Sequence, residues 1–598
     1  MMIRWCRTAI RQNSKSEAIH MRAITMALCV ICGLLSNEPL FAQRIRPIAL
    51  QYDHVSSHCL VLTESGQLLA IDTESFQVVQ RWQVGSRPAH LAMLNDDRLA
   101  IADRASHCVR MFVRESGGWR ETEVIAVPHS PVHVARLDAT TLSVTSLWAR
   151  QWTKLTFDSN GTCIDQTTID LDFAPKRQLP LADGTVLVAD AFGGHLAVVD
   201  VDDAKIRKTH HLSSSHNIAD MALAADGQSV LMTMLTSNHE YPTTQSNVHW
   251  GDVMSTLVRH VSLAEVHAGV PEQTADRVHF LGHPDRATGD PTGLLLTSEQ
   301  RQIICFSGVN EVGISDPKGQ HFVRLAVQDR PTALALNADE SKLFVGNWLA
   351  DSVSIIDLQR KKVIHTVALN EAAALDDQAT ALSQVEQGER LFYDARLSTD
   401  GWFSCHSCHT DGHSNGLLAD TLGDEDHGDA KRIHSLLGAV DTPPWAWLGN
   451  QAKIEHQIRK SIHTTMNGPE PTEEQVQALT AFVKSLAPPP SLRAARQTLD
   501  ANQQRHGQQV FHRFGCADCH QPDAAYTSNV TYDVGFQDAS GHRQFNPPSL
   551  RGVSQRQRLF HDATAAGIDD VVRQRRHQVP DDATQQQLSD LIAFLQSL

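Results

Sequence analysis

The chain has no surplus of basic residues. In 598 residues, 52 Lys and Arg stand against 68 Asp and Glu, a net charge of −16 at pH 7. A field of that sign repels a polyanion, which excludes nucleic acid as a partner and favours a basic redox protein. A stable transmembrane anchor is also not expected. The early apolar run from Ala23 to Leu35 is shorter than the roughly 20 residues that a spanning helix needs. Nor is there a disulfide framework: of eleven cysteines, Cys6, Cys29 and Cys32 lie near the N-terminus, while Cys59, Cys108, Cys163 and Cys305 are scattered. Each of those last four reads as a small buried apolar residue.

The first residues have the pattern of a secretory leader. Arg4, Arg7, Arg11, Lys15 and Arg22 precede the apolar run, and Leu40-Phe41-Ala42 puts a small residue where a signal peptidase cuts. Residues 1–43 are therefore expected to be a signal peptide, and the remainder to be periplasmic or otherwise exported.

The four remaining cysteines lie in two pentapeptides, Cys405-His406-Ser407-Cys408-His409 and Cys516-Ala517-Asp518-Cys519-His520. In a Cys-x-x-Cys-His run two thiols can form thioethers to haem vinyl groups while the adjoining imidazole ligates the iron. The runs are too far apart for one zinc ribbon, whose knuckles sit about 15–20 residues from each other, and no βαβ pattern surrounds either. Each is read as a covalent haem-attachment site, giving two haem c groups with His409 and His520 on the irons. Export agrees with this, because c-type attachment in bacteria takes place outside the inner membrane.

Length predicts three or four domains. From residue 44 to 372 the sequence repeats in steps of about forty, the spacing of propeller blades. The clearest copy runs from Arg330-Pro331 through Val353-Ser-Ile-Ile-Asp357, and weaker ones start near Arg87, Ser130, Ala174, Asn217 and Asp290. With a first copy ending at Asp72 the count is seven blades, which resemble the bacterial YVTN-type propellers. Such sheets bury both faces only by stacking radially, and ring closure is expected to pair an early strand with one near residue 365. The interval 231–290 breaks the period and carries His239, His249, His260, His267, His279 and His283. It reads as a solvated loop, or alternatively as a metal-binding or haem-facing one.

Near residue 375 the strand pattern gives way to helical patterns, placing two all-α cytochrome c domains at 378–488 and 500–598. The first closes on a helix with a capping-box start at Thr472, and Pro488-Pro489-Pro490 follows as a stiff connector. The second repeats the plan: Gly507 and Phe511 match Gly388 and Phe392, and a last helix runs from Gln587 to Leu598.

The segment Gly388 to Ser398 (GERLFYDARLS), the first haem motif, Pro548-Ser-Leu-Arg-Gly-Val553 and Leu559-Phe-His-Asp562 together resemble the bacterial di-haem cytochrome c peroxidases and their MauG-type relatives. That resemblance implies a haem that reduces hydrogen peroxide, a second haem fed by a small redox protein, a tryptophan between them and a calcium ion. Carried over, Trp447 in Trp447-Leu-Gly-Asn450 is the candidate bridging residue, with Trp445 as its competitor. His427 is the candidate distal histidine, with His413, His434, His456 and His463 as alternatives.

The departures are informative. Met466 is the last methionine of the chain, so the second iron takes His577, His561 or His542, or keeps an open position. His577 is preferred because it precedes the last helix much as Met466 precedes the first module's helix. Met466 lies where small cytochromes c supply a thioether ligand. Thr465 stands where the family has a catalytic glutamate, which weakens the expectation of peroxide chemistry. The reading is an exported di-haem oxidoreductase acting on peroxide or another small acceptor. The alternative is an electron carrier whose propeller serves as a docking or substrate-binding platform.

Overall fold

The computed structural model describes residues 44–212, 215–268, 278–370, 382–423 and 427–598. The expected leader and the 371–381 boundary fall outside these residues. Among the described residues no helix is long and apolar enough to cross a membrane.

Seven four-stranded antiparallel sheets occupy the first half, each built from consecutive strands. Six of the seven innermost strands begin with proline, at Pro47, Pro88, Pro131, Pro175, Pro291 and Pro331. The first residue of a strand can lose its N–H without breaking the ladder. The second and third strands of each blade are almost wholly buried, as in Thr185–Asp190 and Ser352–Asp357, whereas outer strands such as Lys205–His211 are largely exposed.

Ring closure differs from the expected strand pairing. Lys362–Ala368 is simply the outer strand of the seventh blade, and Pro47–Asp53 pairs within the first. The gap is closed by packing instead. Cys59, Val61 and Ile71 of the first blade share a core with Phe344, Val353 and Ile355 of the last, and Asp351 accepts the backbone N–H groups of Ile45 and Arg46 at 3.1 and 2.8 Å. Consecutive blades bury enough apolar surface that no shared strand is needed. Of the scattered cysteines, Cys59, Cys108 and Cys305 are buried and Cys163 is half-buried.

The irregular interval belongs to the fifth blade, Ser215 to Phe280. It forms a loop with a short helix, Gln245–His249, between the blade's second and third strands. This loop grips the first helical module: Trp402 Nε1 donates to the His249 carbonyl at 3.0 Å, and Asn467 Nδ2 to that of Thr243 at 2.7 Å. Val248, Val253 and Met254 enter the same apolar cluster as Met466, Cys405 and Cys408. It is therefore a wall of the haem module rather than a solvated loop.

The two helical modules share one plan. In the first, Gln384–Phe392 crosses Glu473–Ser485; in the second, Ala501–Arg513 crosses Gln585–Leu595. Gly388 and Gly507 sit at these crossings, where a Cβ would lie 1.9 and 2.0 Å from the carbonyls of Ala478 and Asp590. Phe392 on Phe482 and Phe511 on Phe594 fill the space beside them. Both terminal helices open with a capping box, Thr472 with Gln475 and Thr584 with Gln587. The last helix thus starts at Gln585, slightly earlier than its sequence pattern suggested. The proline connector is packed in place: Gly438 lies against Pro488, Gly552 against Pro489, and Gln555 donates to the Pro490 carbonyl.

Candidate haem sites

In each module the cysteines occupy a single helical turn, Cys405–Cys408 or Cys516–Cys519, and the histidine follows as its C-cap. That geometry places both thiols and the imidazole on one side of the turn. His409 Nδ1 donates to the His434 carbonyl at 2.8 Å, and His520 Nδ1 to the Tyr526 carbonyl at 3.0 Å. Both bonds fix the tautomer that leaves Nε2 free for a metal. Burial holds both imidazoles down at about 4, so they are neutral and able to ligate near neutral pH. None of the four thiols belongs to a cluster of three or more metal-binding side chains among the described residues, which argues against a shared zinc site.

Beside Cys405, Cys408 and His409 lies a cavity of about 300 Å³, walled largely by apolar side chains. Met466, Thr465, Trp445, Trp447 and His434 also line it; among the described residues no Asp or Glu does. His427 does not. It is exposed on the surface, which corrects its assignment as distal ligand, since a ligand must reach into the cavity. His456 and His463 are also exposed, on outward positions of the helix whose Ile454, Gln457 and Ile458 face inward. His413 has both nitrogens engaged, with Ser435 Oγ at 2.9 Å and the Gln555 carbonyl at 3.0 Å.

Trp447 joins the modules. Its Nε1 donates to the Arg432 carbonyl at 2.7 Å, its ring stacks on His434 at 4.3 Å, and it meets His561 edge-on at 6.3 Å. Its own carbonyl accepts the Asn546 N–H of the second module at 2.8 Å. Trp445 is tied back to the Ala439 carbonyl within the first module.

For the second module, His542 is exposed and bound to Asp538, so it turns away from the attachment turn. His561 packs on Phe545 and Trp447. His577 stacks on Phe536 at 5.5 Å, and it lies near enough to His520 for a charge on it to be felt there. Its parallel with Met466 is displaced, however. After the π-helical turns Ser461–Thr465 and Asp570–Gln574, Met466 N bonds to Ser461 O as Arg575 N does to Asp570 O, while His577 N bonds to Val571 O as Gly468 N does to Ile462 O. In this register Met466 corresponds to Arg575 and His577 to Gly468.

Calcium fares differently. At the seam between the modules Asp429, Asp538 and His542 converge, but Lys431 Nζ already sits 2.8 Å from Asp429 and 3.3 Å from Asp538. The carboxylates have their counter-charge.

The attachment turn of the first module has further partners that sequence reasoning missed. Ser404 and Ser407 hydroxyls donate to the two oxygens of propeller residue Asp290, at 2.5 and 2.6 Å, and the His216 ring donates to the Ser407 carbonyl at 3.0 Å. Asp290 and His216 are wholly inaccessible to solvent. The only hint in the sequence was Asp290-Pro291 as a blade start. Among the described residues no propeller side chain bonds to the second turn; its Asp518 carbonyl accepts the Tyr532 hydroxyl of the same module at 3.1 Å, and the Asp518 side chain is exposed.

The described residues thus form a propeller followed by two helical modules, each with a Cys-x-x-Cys-His turn suited to holding a haem. More specifically, residues 382–499 match the model of the di-haem cytochrome c peroxidase family. That family's description implies two haems. The chain is 24% identical to the hydrazine synthase subunit gamma of Kuenenia stuttgartiensis over 274 residues, covering 36% of this chain and 77% of that protein. It is 24% identical to the methylamine utilization protein MauG of Methylophilus methylotrophus over 282 residues, covering 36% and 82%. A solved chain of Kuenenia stuttgartiensis hydrazine synthase is similar over 54% of this chain and 98% of its own, at 15% identity and a TM-score of 0.45.

Proposed function

We propose that the protein is an exported di-haem oxidoreductase that moves electrons between its two attachment sites and delivers them to hydrogen peroxide or another small acceptor. The observation that carries this reading is Trp447, one indole bonded into the first module, stacked on the ring of His434, whose carbonyl holds His409, and reaching His561 in the second. Bound haem c supplies reversible one-electron chemistry and, where the sixth position is open, reduction of a small oxidant. The residues divide the work. The exposed turn around Asp518 offers a docking place for a small redox partner, whereas Asp290, His216 and the fifth-blade loop keep water from the turn around Ser407. His409 and His520, fixed by their Nδ1 bonds, would offer Nε2 to a bound haem, and Met466 and His577 would be the candidates for further ligands.

Stopped-flow mixing of the reduced protein with hydrogen peroxide tests the reading. Reoxidation well above the rate of free haem is expected; a rate no faster than free haem removes peroxide as the acceptor. A second reading, a six-coordinate electron carrier, is favoured by Met466 facing the same cavity as His409 and by the absence of a carboxylate from that cavity's described wall. Two low-spin haems in the optical spectrum would support it, and a high-spin population would oppose it.

A further inference from the structure

Where the propeller and both helical modules meet lies a second and much smaller cavity of about 20 Å³, partly open to solvent on the side of the exposed Arg558. That is room for one small group, since a water needs about 10–15 Å³ on this measure. Four arginines line it: Arg150 from the third blade, Arg432 from the first module, and Arg556 and Arg558 from the second. No Asp or Glu is among its described lining residues. Three buried donors on this wall, Arg150 Nη2, Asn415 Nδ2 and Arg556 Nε, have no hydrogen-bond partner. Arg150, Arg432 and Asn415 are each more than nine-tenths buried, at 7%, 3% and 3% exposure.

Buried donors without acceptors are costly, and buried guanidinium groups without a counter-charge more so. Arg432 uses its other nitrogens on the carbonyls of Phe560 and Ile433, and Arg556 on those of Ser549 and Arg551. These acceptors are neutral. Neither arginine has an ion pair with a carboxylate among the described residues. Burial lowers Arg432 to about 9 and Arg556 to about 10, and for Arg432 the charge of Arg556 adds to the effect. Arg150 differs, because the carboxylates of Asp190 and Asp172 act on it; the charge without a counter-ion among the described residues is that of Arg432 and Arg556, beside unsatisfied N–H groups and space for one acceptor.

We propose that this three-way junction is an anion site, taking one singly charged group of the size of a halide or a carboxylate. Two sources have that chemistry. One is a free monovalent anion. The other is a propionate of porphyrin in the neighbouring cavity, whose wall also includes Arg432 and Arg556; this source alone rests on the haem reading above. In either case the anion ties the propeller to both modules by neutralising cations from all three.

The experiment is a crystal structure of the haem-loaded full chain grown in bromide, with anomalous diffraction. An anomalous peak within hydrogen-bond reach of Arg150 and Arg556 identifies a free halide; propionate density there identifies the porphyrin. Water in the cavity with neither overturns the proposal. In solution, a free-anion site predicts that Tm rises as bromide replaces gluconate at fixed ionic strength, and that the rise disappears in R150Q and R556Q. A propionate site predicts a halide-independent Tm and a fall in one haem's midpoint potential in R556Q, because losing a cation favours the oxidised form; R556K restores most of it. A halide-independent Tm with unchanged potentials in folded R556Q also overturns the proposal. A colourless protein would instead contradict the haem reading, and the bromide arm would still decide the free-anion case.

Discussion

The two haem modules are built alike and housed differently. Both have a glycine at the helix crossing, a phenylalanine pair beside it, a one-turn Cys-x-x-Cys helix, a π-helical turn and a capped terminal helix. The first has its attachment turn pinned under the propeller by Asp290 and His216, while the second leaves Asp518 in solvent. The modules' own helices therefore make a haem site, and the surroundings set what can reach it.

Removing the clamp should have the largest effect. In D290A the hydroxyls of Ser404 and Ser407 lose their acceptor, and about 2–4 kcal/mol of docking stability should go with it. Denaturant unfolding would show a first transition in which the propeller separates from the first module. The next effect follows from two docking histidines, His216 and His413, which burial holds at about 4 and about 3. Their ordinary value is about 6.5, so below that pH the unfolded chain takes up protons that the folded one refuses. Stability should be level above about pH 6.5 and fall as the pH drops toward about 4. Tm against pH checks this, and H216Q should shallow the slope.

Trp447→Phe keeps a ring but loses the bond to Arg432. The expected cost is about 1 kcal/mol of stability, together with electron exchange between the haems slowed by about tenfold, equivalent to ~1.4 kcal/mol on the barrier. Photoreduction followed at the two haem bands would measure it. At the open end, D518N should change stability by no more than about 0.5 kcal/mol. A large loss there would mean that the second turn is also covered, and the contrast between the modules would disappear.

Much of this was legible in the sequence because it is local. The Cys-x-x-Cys-His turns, the capping boxes at Thr472 and Thr584, the crossing glycines and the blade period all depend on neighbours a few residues away. What escaped depends on distant chain segments meeting. Asp290 reaches Ser404 and Ser407 from another domain, and Arg150, Arg432 and Arg556 come together only when three domains dock. His577 fell two residues out of register with Met466 because distance to the next helix was a poor guide, whereas the π-helical turn sets the register. His427 looked suitable by spacing, but it lies on the surface, outside the cavity wall. Strand closure of the ring failed because side-chain packing between the first and last blades serves the same purpose.

Haem content of the purified, matured chain tests the account most directly. Pyridine haemochromogen absorbance after denaturation should give two covalently held haems per chain, falling to one in C405A/C408A and to one in C516A/C519A. A denatured chain that keeps no haem, or the same content in either double variant as in the wild type, would contradict it.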